Sequence, residues 1–300
     1  MLSKKDEIQI KFISELCRSF SGINLISVRT GKCRIYLSSI KKLGLVNPKV
    51  LVIYPNIDIK NSWVRECELI DYYPDITYCT YISIDKVLNT DWDVIVCDEA
   101  HLIAKDIVLP KLGEFVKRHK NVILASGTYS HETLQALKDY TGLDLTINYP
   151  TEQAIKDGIV CDFKIIIHQY NLDATTVKEF GKVKKWKSTD LRESNRLTHR
   201  VNNSYGQEKF FNALNRMRFI NSCDSLVNFV KSWIKENNKR FILFTGSEEV
   251  GKKYNLPMYN SKSKTDDVLI AFQNEEINQL CLIKKGKAGV TYPKLDTILL

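Results

Sequence analysis

Lys32 follows a glycine in "ISVRTGKCRIYL" (26–37), and 66 positions after it Asp98 opens the run Asp98-Glu99-Ala100-His101 at the end of "DWDVIVCDEAHLI". An ammonium preceded by glycine at a strand-to-helix turn can share one phosphate with backbone N–H groups and the positive helix end. Here Lys32 would neutralise the β- and γ-phosphates of a bound triphosphate. A carboxylate at the end of an apolar strand can hold a hydrated magnesium ion, which suits Asp98. A second one beside it, Glu99, can orient and deprotonate an attacking water. The loop departs from G-x-x-x-x-G-K-[ST], because the leading glycine is missing and Arg29 and Thr30 replace small residues. Cys33 stands where the magnesium-binding hydroxyl belongs, and magnesium prefers oxygen to a soft thiol. Water held by Asp98 would fill that place, so the departure bears on rate more than on nucleotide binding. Taken singly, a Gly-Lys pair recurs by chance, and an acidic pair can simply cap the next helix.

The elements that must position these residues follow from the apolar pattern. Short runs at "INLISV", "VLVIYP", "ITYCTY", "DVIVCDEA" and "NVILAS" have the length and continuity of strands buried on both faces. Helix-like segments lie between them at 33–43, 109–120 and 131–140. In the first, Tyr36, Ile40 and Leu43 share a face and Gly44 stands at the C-terminal cap. Such alternation predicts an α/β fold with a parallel sheet wrapped by helices over residues 1–150, with Lys32 and Asp98 at the carboxyl ends of strands.

Residues 151–221 read as a connector. "IVCDFKIIIHQY" has the composition of one more strand. Lys178–Arg200 carries eight Lys/Arg against three Asp/Glu and is weakly periodic, as in a connector or a small inserted helical element. Its charge suits either a solvated face or a nucleic-acid track. Alternation resumes in 222–300 with "DSLVNFVKSWIKEN", "RFILFTG", "DDVLIAFQN", "NQLCLIKK" and "LDTILL".

Length and composition set outer bounds. Three hundred residues fit about two domains. An apolar content of 44% and a charged content of 26% are those of a globular chain. The net charge of +9 agrees with a polyanionic partner without requiring one. The eight cysteines are scattered with no C-x-x-C pair, which fits free thiols in a reducing, cytoplasmic setting. There is no signal-peptide core and no run of membrane-spanning length. The histidines apart from His101 lack metal-ligand spacing with cysteine or acid, so no zinc site is expected.

Taken in order along the chain, the motifs resemble those of the superfamily 2 helicases and translocases with a DEAH-type box, in the phage- or restriction-type DNA branch. "VLVIYPN" is similar to the segment whose residues, here Pro55 and Asn56, contact the nucleic-acid backbone. "ITYCTYISIDKV" resembles the segment upstream of the acidic box, with Thr80 and Tyr81 toward nucleic acid. "VILASGT" matches the motif that links hydrolysis to lobe movement, here Ser126, Gly127 and Thr128 together with His101. "EQAIKDGIVCDFKI" is similar to the stretch after the first lobe, and "RFILFTGSEE" to the opening of the second, with Thr245 and Gly246 toward nucleic acid. "LIKKGKAGVTYPKLDTILL" resembles the fifth motif, which would set Gly289 and Thr291 near nucleotide and nucleic acid.

The resemblance implies the P-loop NTPase fold, two RecA-like lobes with the second incomplete, and ATP and Mg2+ as cofactors. ATP would be held by Arg29, Thr30, Gly31, Lys32, Cys33 and Arg34. It further implies nucleic acid as partner, DNA before RNA, and agrees with a viral or phage protein acting in a host cell. The family's sixth motif, with its arginine finger, is not found before Leu300. A partner chain or a continuation would then supply the finger, and the chain alone would hydrolyse ATP feebly. Two other readings stay open: a non-catalytic nucleic-acid-binding remnant, and an ATPase subunit of a nuclease or restriction complex. Each weaker motif also has a plain structural reading. Ser126 and Thr128 could cap a helix, Pro55 and Asn56 could be turn residues, and Tyr81 and Tyr292 could be half-buried aromatics.

Overall fold

Each of the five apolar runs forms a strand, because a continuous run of Val, Ile and Leu can bury alternate side chains in two different layers. The computed structural model describes residues 2–55, 57–103, 107–181, 184–237, 239–260, 262–263, 265–283, 292 and 294–300. Two units divide the chain, Met1–Lys164 and Ile165–Leu300.

In the first unit α1 (Lys4–Arg18) precedes β1 (Gly22–Ile26), α2 (Lys32–Lys42), β2 (Lys49–Tyr54), α3 (Ile57–Ile70) and β3 (Asp75–Thr80). A 3-10 segment, Tyr81–Lys86, leads to β4 (Val94–Asp98). Another, Ala100–Leu102, leads to α4 (Val108–Val116), β5 (Val122–Ser126), α5 (His131–Thr141), β6 (Leu145–Tyr149) and α6 (Thr151–Lys156). The strand order is β3-β2-β4-β5-β1-β6 and every pairing is parallel. Val50, Val52, Val94 and Val96 face a layer with Ile35, Tyr36 and Trp63 from α2 and α3. Their neighbours Leu51, Ile53, Ile95 and Cys97 face the opposite layer, with Leu112 and Phe115 from α4. Full burial of one such side chain is worth about 1.5–3 kcal/mol, and β4, buried at all five positions, gains on both faces.

Several expectations need correction. β3 is an edge strand, with Asp75 exposed and Ile76 to Tyr78 half-buried, because only β2 pairs with it. The helix expected over 109–120 ends at Val116. α1, α3 and β6 had no counterpart in the sequence-based reading. "IVCDFKIIIHQY" is not a strand: residues 161–173 have no regular structure, and Ile165, Ile166 and Ile167 are exposed. A β-rich composition holds a strand only where a neighbour completes its hydrogen bonds, and none does so here.

The second unit holds a hairpin of β7 (Lys178–Phe180) and β8 (Trp186–Ser188), then α7 (Asp190–Asn202), α8 (Gly206–Ile220) and α9 (Asp224–Glu236). It continues with β9 (Phe241–Thr245), α10 (Glu248–Lys252), β10 (Met258–Asn260), α11 (Asp267–Gln273), β11 (Gln279–Ile283) and β12 (Thr297–Leu299). Its sheet runs β10-β11-β9-β12, again all parallel. The basic segment is thus a hairpin joined to a helix, and part of its charge is used internally. Buried Asp190 accepts from Lys178 at 3.2 Å and from the Ser225 N–H at 3.0 Å. Buried Glu193 is bound by Arg196 and by the Trp186 indole.

Candidate active site

Three adjacent strands, in the order β4-β5-β1, deliver the candidate residues at their carboxyl ends, where ligands of open parallel sheets bind. The loop from β1 to α2 turns through two left-handed residues, Arg29 at φ 65° and Gly31 at φ 91°. Gly31 is the N-cap of α2 and provides no side-chain cap, so the first N–H groups of the helix face a prospective ligand. A Cβ at position 31 would lie 2.4 Å from the Gln9 amide nitrogen. That amide, buried on α1, donates to the Thr30 carbonyl at 2.7 Å and pins the loop from behind. Thr30 itself is buried and its hydroxyl has no hydrogen-bond partner. A glycine cradle and uncapped N–H groups fit a phosphate.

The acidic box begins where β4 ends. Lys32 Nζ lies 2.9 Å from Glu99 Oε1, with the two side chains 11% and 25% exposed. Glu99 adopts the left-handed conformation at φ 52°, a strained state for a non-glycine residue that is common in functional loops. Buried Asp98 accepts from Trp63 Nε1 at 2.9 Å through Oδ2, and from the Glu99 N–H at 3.0 Å through Oδ1. Burial raises the Asp98 carboxyl above its ordinary range, with Lys32 and the Trp63 bond opposing the rise. Burial also pushes the Cys33 thiol well up, and the Asp98 charge adds to it. Cys33 is therefore a protonated thiol and does not fit magnesium, whereas the hard oxygens of Asp98 do. Among the described residues no cluster of three or more His, Cys, Asp or Glu could hold a metal.

A chain of contacts leads from the box to β5. His101 Nδ1 lies 3.3 Å from Glu99 Oε2 and 2.6 Å from Ser126 Oγ. The Ser126 hydroxyl donates its single proton to the Thr128 carbonyl at 2.7 Å and accepts from the Thr128 N–H at 3.1 Å. Its oxygen must then accept from His101, which places an imidazole proton on Nδ1. Gly127 brings the end of β5 beside the loop, since a Cβ there would stand 3.2 Å from Val28 Cγ1 and 3.7 Å from Lys32 Nζ. Lys32, Asp98, Glu99, His101, Ser126, Gly127 and Thr128 are thus gathered in one place.

Other expected residues do not join this cluster of side chains. Arg29 is exposed. Arg34 binds Glu66 on α3 at 2.9 Å, an ion pair between helices. Pro55 is half-buried after β2, and Thr80 bonds Ser83 at 3.2 Å. Tyr81 requires correction: it is buried and donates to the Asp98 carbonyl at 2.8 Å, a strut beneath the box with no face for a base to stack on. Thr245, in the second unit, reaches the Ser247 carbonyl at 3.4 Å, and Gly246 is exposed. Asn56, Gly289 and Thr291 lie outside the described residues. Two residues escaped the sequence reading, Gln9 and Trp63. For Gln9 the available signal was a polar residue set in the apolar stripe of Ile8, Phe12, Ile13 and Leu16. For Trp63 there was none beyond an aromatic in a helix.

No protein-family model and no characterised protein matches the chain in sequence. Solved structures do match in shape. The DEAH/RHA helicase HrpB of Escherichia coli superposes with a TM-score of 0.59 at 10% identity, over 99% of this chain and 36% of that one. The ATP-dependent Type ISP restriction-modification enzyme LlaBIII, bound to DNA, gives 0.55 at 13% identity, over 99% of this chain and 25% of that one. The chain spans little more than a third of the first and a quarter of the second. No helix among the described residues is long and apolar enough to cross a membrane. The two all-parallel sheets and these likenesses show the fold, α/β with RecA-like lobes.

Proposed function

We propose that the chain is an ATP-driven helicase or translocase acting on nucleic acid, DNA before RNA. The observation that carries this reading is the 2.9 Å pair between Lys32 and Glu99, with Asp98 next to it at the end of β4 and the uncapped start of α2 alongside. Lys32 rests on the Glu99 carboxylate. When a triphosphate enters, Lys32 exchanges Glu99 for the β- and γ-phosphates, together with the α2 N–H groups. Glu99 is then released to orient and deprotonate water. Asp98 would hold the hydrated magnesium, which supplies charge neutralisation at the phosphates. Loss of the Lys32 contact alters the Glu99–His101–Ser126 chain, a route by which nucleotide state reaches the 126–128 loop. The preference for DNA follows the wording of the Ser-Gly-Thr motif and of the fifth motif, and DNA is also what LlaBIII holds. An arginine finger from a partner chain would complete the transition state.

The protonated thiol of Cys33 favours a second reading, a remnant that binds nucleotide or nucleic acid without turnover. Phosphate release with and without single-stranded DNA separates the two. We expect slow release by the native chain that rises with DNA, and loss of that release in Lys32→Ala and Glu99→Gln. Release indifferent to both substitutions would refute the motor.

A further inference from the structure

A buried carboxylate has to be hydrogen-bonded to hold one orientation. In phosphate loops of the Gly-Lys-Ser/Thr type the hydroxyl after the lysine sits on the same magnesium ion as the acidic box. Here that position is Cys33, which offers magnesium no hydroxyl, so the metal depends the more on how Asp98 is held.

Trp63 is fully buried on α3, and its Nε1 donates to Asp98 Oδ2 at 2.9 Å. Its ring stacks on Tyr36 of α2 at 6.4 Å and 11°, three residues beyond Cys33 and so on the same face of that helix. The indole therefore joins α3, α2 and the end of β4. Each Asp98 oxygen accepts one protein bond, Oδ2 from Trp63 and Oδ1 from the Glu99 N–H, which leaves a second lone pair on each for metal-bound water. An indole N–H is a donor only. It can neither ligate the ion nor take a proton, so it orients Asp98 without competing for the metal.

We propose that Trp63 is a positioning residue of this site, holding Asp98 toward a magnesium–nucleotide where Cys33 supplies no hydroxyl to the ion. This rests on the proposed function, since it presumes that the site takes magnesium and ATP.

The test is equilibrium binding of N-methylanthraniloyl-ATP titrated with Mg2+, with a thermal melt for each variant. Trp63→Phe keeps the ring and its stacking and removes only the N–H. We expect its half-saturating Mg2+ to rise about tenfold or more, the usual scale for a lost hydrogen bond to a charged group, while magnesium-free binding stays within about twofold. Cys33→Ser added to Trp63→Phe should recover most of the loss, because a hydroxyl can serve the same ion. Equal weakening with and without Mg2+, no change at all, or no recovery by serine would overturn the proposal. If Trp63→Phe fails to fold, Cys33→Ser alone decides: a threefold or larger fall in half-saturating Mg2+ supports the exchange of anchors, and no fall overturns it. A native chain that binds no nucleotide would overturn the proposed function together with this inference. A native chain that binds and a Trp63→Phe variant that matches it would overturn the inference alone.

Discussion

At the ends of β4 and β5 both Asp98 oxygens, the Glu99 carboxylate and the Ser126 hydroxyl have protein partners within 3.3 Å. At the end of β9, in the second unit, Thr245 makes one contact of 3.4 Å to Ser247 and one of 3.5 Å to Cys281, and Gly246 has open space where a Cβ would stand. Both strands belong to parallel sheets, so topology does not separate them. The layers beneath them do. Among the described residues the first sheet is backed by apolar clusters of 22 and 19 buried residues, the second by clusters of 7 and 6. A deep layer excludes water, and an excluded polar group must find a protein partner. The first unit therefore carries a preformed set of side chains, while at the end of β9 Thr245 is half-buried and Gly246 exposed.

The largest expected effects separate the two strand ends by chemistry. Glu99→Gln should cut phosphate release by about 10²–10⁴, the range for a lost general base, while nucleotide still binds. Thr245→Ala should leave DNA-free release within about threefold and weaken only the affinity for DNA. A large loss of DNA-free release from Thr245→Ala would break the contrast. Core truncation comes next. Phe115→Ala and Phe241→Ala each remove a fully buried ring and should cost about 3–5 kcal/mol, read as denaturant midpoints. The first should lower only the transition of unit 1 and the second only that of unit 2.

Glycine substitutions sharpen the contrast at smaller scale. Gly31→Ala combines a left-handed φ of 91° with a clash against Gln9 and should cost about 1–3 kcal/mol. Gly246→Ala, with nothing near it, should stay within about 0.5 kcal/mol. Adding Gln9→Ala to Gly31→Ala should relieve the clash and leave the backbone strain. Thermal melts of the four chains measure both.

The smallest effect is electrostatic. The Lys178 hydrogen bond holds the Asp224 carboxyl below its ordinary range. A depressed carboxyl stabilises the fold above its unfolded pKa, near 3.8, and that stabilisation is lost as pH falls through the folded value. Asp224 is half exposed, so screening limits the effect to about 0.5 kcal/mol. Asp224→Asn should flatten the acid limb of unit 2 melts below about pH 4 by that amount and leave unit 1 unaltered.

Much of the first unit was legible in order. Continuous apolar runs marked β1, β2, β4 and β5 because both faces of those strands are buried, and Gly44, at φ 71°, sits just past α2 as its pattern predicted. The short β6 and the unpaired run around Ile166 were not legible, and neither was the edge position of β3, although its run was marked as a strand. Hydrophobic content is the same whether or not a neighbour completes the ladder, so composition cannot tell these cases apart.

By itself the sequence determined which chemical groups are available and the ends of which strands carry them: an ammonium at 32, acids at 98 and 99, a thiol at 33. These depend on local order alone. Only the tertiary structure decided that Lys32 rests on Glu99, that Trp63 holds Asp98, that Gln9 pins the loop and that Tyr81 lies beneath the box. Each of those contacts joins residues 17 to 67 positions apart, and such a distance is closed only by packing helices and strands into common layers.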